Sequence, residues 1–371
     1  MGQGKEATSS EIVELEKKIS TTKYNKKTQG AIGLMKAKLA MLKTKQEQRV
    51  SSKVGKSSDG YAVRKTGDGT AVLLGFPSAG KSTLLNAITG ADSPVGAYAF
   101  TTLTVIPGML EHKHAKIQIL DVPGIIEGAA SGQGRGKEVL QVIRTADLVI
   151  IVVDVFNPNQ YPALLKEIRE TGIRINKRKP DVKINKTIKN GIRIGRTVEL
   201  PDLDDETIEN ICKMFKLVNA EVLIRTQIDA DDFIDILEAN KVYLPAVRIL
   251  NKIDIADPET LKRAREIVQP DLEISGHANI NIAELKEIIF DKMNFIRIFL
   301  KETGQKADMD EPMIMQDGQT LFDLCQKLHK DFVERFRFAR IWGPSAKFNG
   351  QKILKLSHEL KDTDVVEIYI T

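Results

Sequence analysis

The stretch that decides the fold is Gly75-Phe76-Pro77-Ser78-Ala79-Gly80-Lys81-Ser82, which has the pattern G-x-x-x-x-G-K-S. In this pattern the backbone N–H groups of a loop surround a phosphate chain, the lysine reaches the outer phosphates, and the serine hydroxyl binds Mg²⁺. The apolar run 71–74 before it is typical of a buried parallel strand, and residues 83–88 after it predict a helix whose N-terminus favours an anion. A chance match in a lysine-rich chain is the alternative, and the flanking strand and helix argue against it. We therefore expect the chain to bind a nucleoside triphosphate.

A second phosphate-side pattern lies about 40 residues further on. Residues 115–120 alternate like a strand, which ends on Asp121 and begins the sequence D-x-x-G that closes at Gly124. The carboxylate can hold Mg²⁺ through water, and the glycine N–H can meet the terminal phosphate. Between the two patterns, Thr102 is our candidate for completing the metal shell. Thr101 is the near alternative, and an ordinary loop threonine is the other.

The base-recognition pattern is Asn251-Lys252-Ile253-Asp254, which follows the apolar run 245–250. Guanine offers N1–H and N2–H₂ side by side, so one carboxylate can accept from both, whereas adenine would leave Asp254 unsatisfied. A site built on such paired contacts strongly rejects the analogue that lacks them. Lys252 is expected to lie along the base and Asn251 to brace the loop. Backbone N–H groups at Ser275 and Gly276, after the next strand, are expected to meet the guanine O6.

Length and composition are those of a globular protein with two or three domains: 371 residues, 42% hydrophobic and 28% charged. Cys212 and Cys325 are far apart and have no metal-binding spacing, so a reducing cytoplasm is the simplest compartment. The N-terminus is charged, and the longest apolar run, 148–153, is far too short to span a bilayer. We therefore expect a cytoplasmic protein that is neither secreted nor integral to a membrane.

Positive charge is concentrated in two segments. Residues 1–66 contain 15 Lys and Arg against six Asp and Glu, a local charge of +9, although the whole chain has only +5. Residues 173–196 contain nine Lys and Arg and one Asp, a local charge of +8. Such segments indicate a polyanionic partner, RNA or the ribosome, beyond the nucleotide. A lysine-rich solvated surface with no partner is the alternative.

The order of patterns predicts four regions. Residues 1–66 are a basic helical hairpin, with helices at 11–20 and 33–48, and a connector. Residues 67–156 and 244–300 form the nucleotide domain, whose last helix begins at Asn281 with a capping-box pattern and runs to about Leu300. Residues 157–243 are an inserted α+β subdomain, with a hairpin turning at Lys189-Asn190-Gly191 and helices at 205–216 and 229–239. Residues 301–371 form a mixed sheet crossed by a helix that starts at Thr320.

Taken together, the patterns resemble the developmentally regulated GTP-binding (DRG) family of the Obg-like GTPases. The resemblance rests on residues 75–78 and 98–103, on the run Asp121-Val122-Pro123-Gly124-Ile125-Ile126-Glu127-Gly128-Ala129, and on residues 132–136. It covers nearly the whole chain, including a C-terminal region that resembles the TGS module. It implies an α/β fold: a P-loop GTPase with a doubly wound, mostly parallel sheet, an inserted subdomain and a ubiquitin-like β-grasp domain. It also implies slow GTP hydrolysis, association with ribosomes or RNA, cytoplasmic location and a possible protein regulator on the TGS-like domain.

Two positions depart from related GTPases. Ile125 stands directly after D-x-x-G, where Ras-like proteins have a water-orienting glutamine, so low intrinsic turnover is expected. Gln133 and Arg135 are candidates to replace it, as is a partner or a monovalent cation. Ser78 lies where potassium-stimulated relatives often have asparagine, so direct K⁺ binding by that side chain is in doubt.

The sequence thus predicts a GTPase of low intrinsic rate with Mg²⁺ as cofactor, GTP and GDP as substrate and product, and K⁺ as a candidate activator. A GTP-binding scaffold with negligible hydrolysis remains an alternative because of Ile125, and Asp254 argues against a P-loop ATPase or kinase. Candidate catalytic residues are Lys81, Thr102 and Gly124, and candidate metal ligands are Ser82, Thr102 and Asp121. Candidate nucleotide-binding residues are Gly75, Phe76, Pro77, Ser78, Ala79, Gly80, Lys81, Ser82, Thr83, Thr101, Thr102, Asp121, Gly124, Asn251, Lys252, Asp254, Ser275 and Gly276.

Overall fold

A computed structural model describes residues 3–51, 67–89, 106–122 and 142–371 of the chain. The chain divides into two compact units. The first unit combines the N-terminal segment up to Asp59 with the segment Lys177–Tyr243. The second unit combines Gly60–Asn176 with Leu244–Thr371.

Helices and strands follow one another as the alternating α/β pattern predicts. The helices are α1 (Gln3–Thr21), α2 (Gln29–Ser51), α3 (Lys81–Thr89), α4 (Gln160–Glu170), α5 (Asp205–Met214), α6 (Ala230–Glu238), α7 (Pro258–Val268), α8 (Ile282–Lys292), α9 (Leu321–Leu328) and α10 (Lys330–Glu334). The strands are β1 (Gly69–Leu74), β2 (Ile106–His112), β3 (Ala115–Asp121), β4 (Leu148–Asp154), β5 (Ile173–Ile175), β6 (Val182–Lys186), β7 (Ile192–Arg196), β8 (Ala220–Ile224), β9 (Val242–Leu244), β10 (Ala246–Asn251), β11 (Leu272–Glu273), β12 (Phe295–Leu300), β13 (Met313–Gln316), β14 (Phe336–Trp342), β15 (Gln351–Ile353) and β16 (Val365–Ile370).

The main sheet of the second unit has six strands in the order β11-β10-β4-β1-β3-β2. All neighbours are parallel except β2, which is antiparallel to β3. Every residue of β1 and β4 is buried, as expected for uninterrupted apolar strands that are covered on both faces. In such a sheet, ligands bind at the carboxyl ends of the strands. Each predicted nucleotide pattern in the described chain follows one of those ends.

Two details near residue 290 differ from the sequence prediction. The helix that starts after Asn281 ends at Lys292 rather than near Leu300, and residues 295–300 form strand β12. The chain turns at Asn294, which has a left-handed φ of 50°, and the aromatic and β-branched residues that follow suit a strand. The predicted capping box is also wrong: Asn281 has a φ of 58° and its side chain caps no N–H, because its amide donates to the carbonyl oxygen of Glu273 at 2.8 Å.

A second mixed sheet, in the order β13-β12-β16-β14-β15, forms the C-terminal part of the second unit. It therefore begins before residue 301, because β12 is one of its inner strands. Helix α9 starts with the predicted capping box between Thr320 and Asp323. Phe295 and Ile314 belong to the same buried cluster as the core of the main sheet, so the two sheets of this unit share apolar packing.

The first unit is built on a three-stranded sheet in the order β6-β8-β7, with α5 and α6 packed on one face. Helix α2 packs against these two helices. Its Gly33 is so close that an added Cβ would lie 3.2 Å from the Cβ of Ala230 and 3.3 Å from Cγ2 of Thr207. Lys36 also donates to Asp231 at 2.9 Å. The apolar face of the N-terminal hairpin is therefore buried against the inserted helices.

The predicted hairpin in the insert is wrong, although its turn residues were identified correctly. Asn190 and Gly191 have φ values of 83° and 67°, as an Asn-Gly turn requires, but β6 and β7 both pair with β8 instead of with each other. The connection is long enough to wrap around Asn219 at the start of β8. Strand β8 buries Ala220, Val222 and Ile224 and takes the central place. Helix α4, predicted within the insert, belongs to the second unit.

Candidate functional site

The phosphate-loop pattern connects β1 to α3 in a tight backbone turn. Ser78 and Gly80 both have left-handed φ values, 64° and 88°. A Cβ at Gly75 would lie 2.4 Å from the carbonyl oxygen of Val152, and one at Gly80 would lie 2.4 Å from the side-chain nitrogen of Asn251. The two glycines of the pattern are therefore required by close approach, and Gly80 also by its backbone conformation. The loop ends at the N-terminus of α3, where free N–H groups favour an anion.

Lys81 is buried at the centre of this loop. Its ammonium group donates to the carbonyl oxygens of Gly75 and Phe76 at 3.0 and 3.1 Å. Burial lowers the pKa of this lysine, and the nearby charge of Asp121 partly opposes that shift. A desolvated cation held by two neutral carbonyls would gain strongly from a phosphate, so the arrangement favours an anionic ligand.

Ser82 and Asp121 meet across the β1–β3 pair. The serine hydroxyl donates to one carboxylate oxygen, Oδ2, of Asp121 at 2.6 Å. The other oxygen, Oδ1, is buried and has no hydrogen-bond partner among the described residues. A buried, unpaired carboxylate oxygen is costly unless a cation or a donor meets it. This pair of oxygen ligands fits Mg²⁺, which prefers carboxylate and hydroxyl oxygens and keeps several waters.

Asn251 joins the phosphate loop to the loop after β11. Its side-chain N–H₂ donates to the carbonyl oxygen of Ala79 at 2.9 Å, and its side-chain oxygen accepts from the N–H of Gly276 at 3.1 Å. The residue is almost fully buried. Gly276 itself lies against the backbone of Leu84 in α3, where an added Cβ would be 3.3 Å from Cα. One amide side chain therefore fixes the spacing of two predicted nucleotide loops.

Lys252 and Asp254 continue the same loop. Lys252 has a left-handed φ of 68°, and its ammonium group forms an ion pair with Asp154 at 2.9 Å. Asp154 is buried at the end of β4, and its other oxygen accepts from the N–H of Phe156. Asp254 lies in a short 3₁₀ turn with its side chain exposed. The lysine stem is thus held in place while the aspartate remains free to meet a ligand.

The Ser275 loop is held by its own hydrogen bonds. The backbone of Ser275 pairs with Ile280 in both directions, and its hydroxyl accepts from the N–H of Ala278 at 2.9 Å. The preceding residue, Ile274, donates to the carbonyl oxygen of Leu250 at 2.8 Å, continuing the β10–β11 pairing. Ser275 is therefore buried in its own loop, and only backbone groups at this position are available for a base.

The described residues thus bring together the phosphate loop, Asp121, the Asn251–Asp254 pattern and the Ser275–Gly276 loop at one edge of the main sheet. The predictions for Thr101, Thr102 and Gly124, and those for Ile125, Gln133 and Arg135, lie outside the described residues. Sequence reasoning missed Asp154. It ends the apolar run of β4, and the position of a carboxylate at a parallel-strand end was the available signal.

Three family profiles together match the chain from residue 70 to residue 370. Residues 70–186 match the profile described as "50S ribosome-binding GTPase", residues 189–295 match "C-terminal region of MMR_HSR1 domain", and residues 296–370 match "TGS domain". The last profile starts within β12, in agreement with the observed C-terminal sheet. In the described part of the chain, no helix has the length and apolar character needed to cross a membrane.

Curated relatives match over nearly their whole length. An uncharacterised GTP-binding protein of Methanocaldococcus jannaschii is 49% identical over 97% of this chain and 92% of its own. Developmentally-regulated GTP-binding protein 1 of Xenopus laevis is 40% identical over 97% of this chain and 98% of its own. Developmentally-regulated GTP-binding protein 2 of Mus musculus is 38% identical over 96% and 98%. With this identity, a P-loop GTPase fold and a C-terminal TGS domain, the chain belongs to the DRG family of GTP-binding GTPases.

Proposed function

We propose that this protein hydrolyses GTP to GDP and phosphate slowly and acts as a switch on ribosomes or RNA. The observation that carries the proposal is the double hydrogen bond of Asn251, which connects the phosphate loop to the base-side loop at Gly276. Because one side chain sets both distances, the phosphates and the base of a single nucleotide can be held together. GTP binding belongs to the family, and the slow rate, the switch and the partner are our proposals.

Guanine selectivity is assigned to Asp254. Its exposed carboxylate would accept from N1–H and N2–H₂ of guanine, two charge-assisted hydrogen bonds that adenine does not offer. Lys252, held by Asp154, would lie along the base. Backbone N–H groups at Ser275 and Gly276 are candidates for the guanine O6.

The phosphate side has the residues needed for charge stabilisation. Lys81 would leave its two carbonyl partners and bind the outer phosphates. Ser82 and Asp121 would hold Mg²⁺ together with Thr102, and Gly124 would donate to the terminal phosphate. A bound Mg²⁺ neutralises charge on the phosphate oxygens. The remaining nucleotide-binding assignments, on residues 75–83 and Thr101, belong to this same proposal.

Low intrinsic turnover follows from Ile125. A hydrocarbon side chain cannot orient the attacking water, and this step is a large part of what a GTPase contributes. Another group must supply it, such as Gln133, Arg135, K⁺ or a bound partner. We infer that the partner raises the rate, which is the behaviour of a regulated switch.

The ribosome or an RNA is the proposed partner, and a protein regulator on the TGS domain is a further candidate. The family profile for residues 70–186 is described as that of a 50S ribosome-binding GTPase. Both strongly basic segments, 1–66 and 173–196, are largely in the first unit of the structure. A ribosomal partner would place the protein in the cytoplasm.

A GTP-binding scaffold with negligible hydrolysis is the second candidate, because Ile125 removes the usual hydrolytic helper. Prolonged incubation with GTP and Mg²⁺ separates the two. Phosphate release that continues for several turnovers supports the enzyme, and less than one phosphate per protein supports the scaffold.

Nucleotide competition tests base recognition. We expect GTP and GDP, but not ATP, to displace a labelled guanine nucleotide. The Asp254→Asn variant should bind GTP about 100-fold more weakly, because two hydrogen bonds to a charged acceptor are lost. Glu259→Gln is the matched control, since this acidic residue lies exposed in the first turn of α7. Equal competition by ATP, or an unchanged affinity in Asp254→Asn, would overturn the assignment.

A further inference from the structure

The connection between β6 and β7 in the first unit forms a fixed loop with a strongly exposed apolar side chain. Ile188 is 97% exposed. Lys186 and Lys189 lie on either side of it, and both are exposed. Single exposed apolar residues are ordinary on protein surfaces, so exposure alone indicates nothing. The loop is unusual in combining this exposure with a constrained backbone and neighbouring cations.

The backbone of the loop is constrained by Asn219. The N–H of Thr187 donates to the carbonyl oxygen of Asn219 at 3.1 Å, and the N–H of Gly191 donates to its side-chain oxygen at 2.8 Å. Ala220 in turn donates to the carbonyl oxygen of Gly191 at 3.0 Å. Both ends of the loop are therefore tied to the start of β8. Ile188 is presented on a preorganised turn, and little conformational entropy would be lost if a ligand covered it.

The residues that lead into Asn219 have the same character. Val218 is 64% exposed, and Lys216 is exposed two positions before it. None of Lys186, Lys189 and Lys216 forms an ion pair with another described residue. Together, Lys186, Ile188, Lys189, Lys216 and Val218 form what we call the Ile188 surface: two apolar side chains among three unpaired cations.

The open face of the sheet extends this positive charge. Lys183 and Arg193 alternate with the buried residues of β6 and β7, so both point away from the helices and are exposed. Lys183 is opposite Leu223 and Arg193 is opposite Glu221, the one acidic residue on this face of the described strands. The face has a net positive charge and adjoins the loop.

We propose that the Ile188 surface binds RNA at an unpaired nucleotide, with the lysines on the flanking phosphates and Ile188 against the exposed base or ribose. The proposal deepens the RNA partner given under Proposed function and rests on it. Cations attract the backbone of any nucleic acid, whereas an apolar side chain gains only where a base has left the stack. Two apolar side chains are too few for stable attachment to a lipid surface, which needs a larger buried apolar area.

The test uses the full-length chain and two labelled RNA hairpins of the same stem, one with a single bulged nucleotide and one fully paired. Fluorescence anisotropy gives the dissociation constants over a range of KCl concentrations. The variants are Ile188→Ser and the double variant Lys186→Gln/Lys189→Gln. Matched controls are Val13→Ser, at an exposed apolar residue of α1, and Lys306→Gln, at an exposed lysine of the second unit.

Wild-type protein should prefer the bulged hairpin. Ile188→Ser should lose about fivefold of that preference, as expected for one partly buried aliphatic side chain, without a change in salt dependence. The double lysine variant should weaken binding to both hairpins and reduce the slope of log K against log salt by about 1.4, or about 0.7 for each lost phosphate contact. Thermal unfolding and GTP hydrolysis without RNA should remain at wild-type values, because all three side chains are exposed.

Two results would overturn the inference and are distinct from each other. If wild-type protein binds RNA but the three substitutions change neither the preference nor the salt slope, this surface is not the site, and the RNA partner itself stands. If wild-type protein binds neither hairpin, the RNA partner and this site both fail. Tight binding to vesicles of anionic phospholipid that Ile188→Ser abolishes, with RNA binding unaffected, would assign the surface to a membrane instead.

Discussion

At the scale of single residues, Asp154 extends the nucleotide site beyond the sequence patterns. It is a buried carboxylate whose two oxygens are used by Lys252 and by the N–H of Phe156. A buried carboxylate of this kind is stable only when paired, so the lysine and the aspartate fix each other. The base-side loop therefore depends on a strand that is not part of the N-K-x-D pattern.

Replacing Asp154 with asparagine should loosen Lys252 and weaken GTP binding about tenfold, because a charge-assisted hydrogen bond to the lysine becomes a neutral one. Nucleotide titration of the variant measures this. Asp271→Asn is the control: it breaks an equally short ion pair, with Arg248, at the other end of the same sheet. GTP affinity that falls equally in both variants would mean that Asp154 acts only through general stability.

The cysteines should be unreactive in the folded protein. Burial raises the pKa of both Cys212 and Cys325 to about 11, so almost no thiolate exists at pH 8. Alkylation by iodoacetamide should be much slower than in denatured protein. Because the folded state keeps these thiols neutral, their contribution to stability is present below pH 9 and is lost as the pH rises through 11. Rapid labelling of either thiol at pH 8 under native conditions would contradict this.

At the scale of elements, predictions succeeded where one local cause decides the structure. The apolar run of β4, the positive φ at Gly80 and the capping box of Thr320 all follow from nearby residues. They failed where distant chain competes. Asn190 and Gly191 form the turn they predict, but β8, nearly 30 residues later, takes the place between the two strands. Similarly, Phe295 leaves the helical pattern because the C-terminal sheet offers strand partners that a local reading cannot see.

Substitution Gly80→Ala tests how the phosphate loop is built. The new Cβ would be 2.4 Å from the side-chain nitrogen of Asn251, so the bridge between the loops must move. GTP affinity should fall by at least about 100-fold, since strain and a lost buried hydrogen bond act together. Gly318→Ala is the matched control, because its φ of 86° is nearly the same but nothing lies within 4 Å of the new Cβ. Calorimetric GTP titration of both variants separates steric conflict from backbone strain.

At the scale of the whole molecule, segments that are far apart in sequence form single units. The N-terminal hairpin and the inserted segment share one core, in which Ala37 of α2 is buried beside Phe233 and Ile208. In the second unit, Lys327 of α9 donates to Asp68, just before β1, and to the carbonyl oxygen of Ile314. The sequence predicted a hairpin in need of a packing surface. It did not identify that surface, because the contacts are set by side-chain shape between helices 170 residues apart.

Substitution Ala37→Asp should therefore destabilise the first unit by about 3 kcal/mol or more, because it places an unpaired charge in a core made by both segments. Val13→Asp, on an exposed position of α1, should change stability by less than about 0.5 kcal/mol. Urea unfolding followed by circular dichroism measures both. Equal stability of the two variants would show that α2 is not packed on the insert.

The central claim is a GTPase that binds GTP fully but hydrolyses it slowly until another group positions the water. Single-turnover release of phosphate from GTP tests it most directly, measured with Mg²⁺ in NaCl, in KCl, and with ribosomes added. We expect slow release in NaCl and a rate at least about tenfold higher with K⁺ or ribosomes. Fast release by the isolated protein in NaCl would contradict the account.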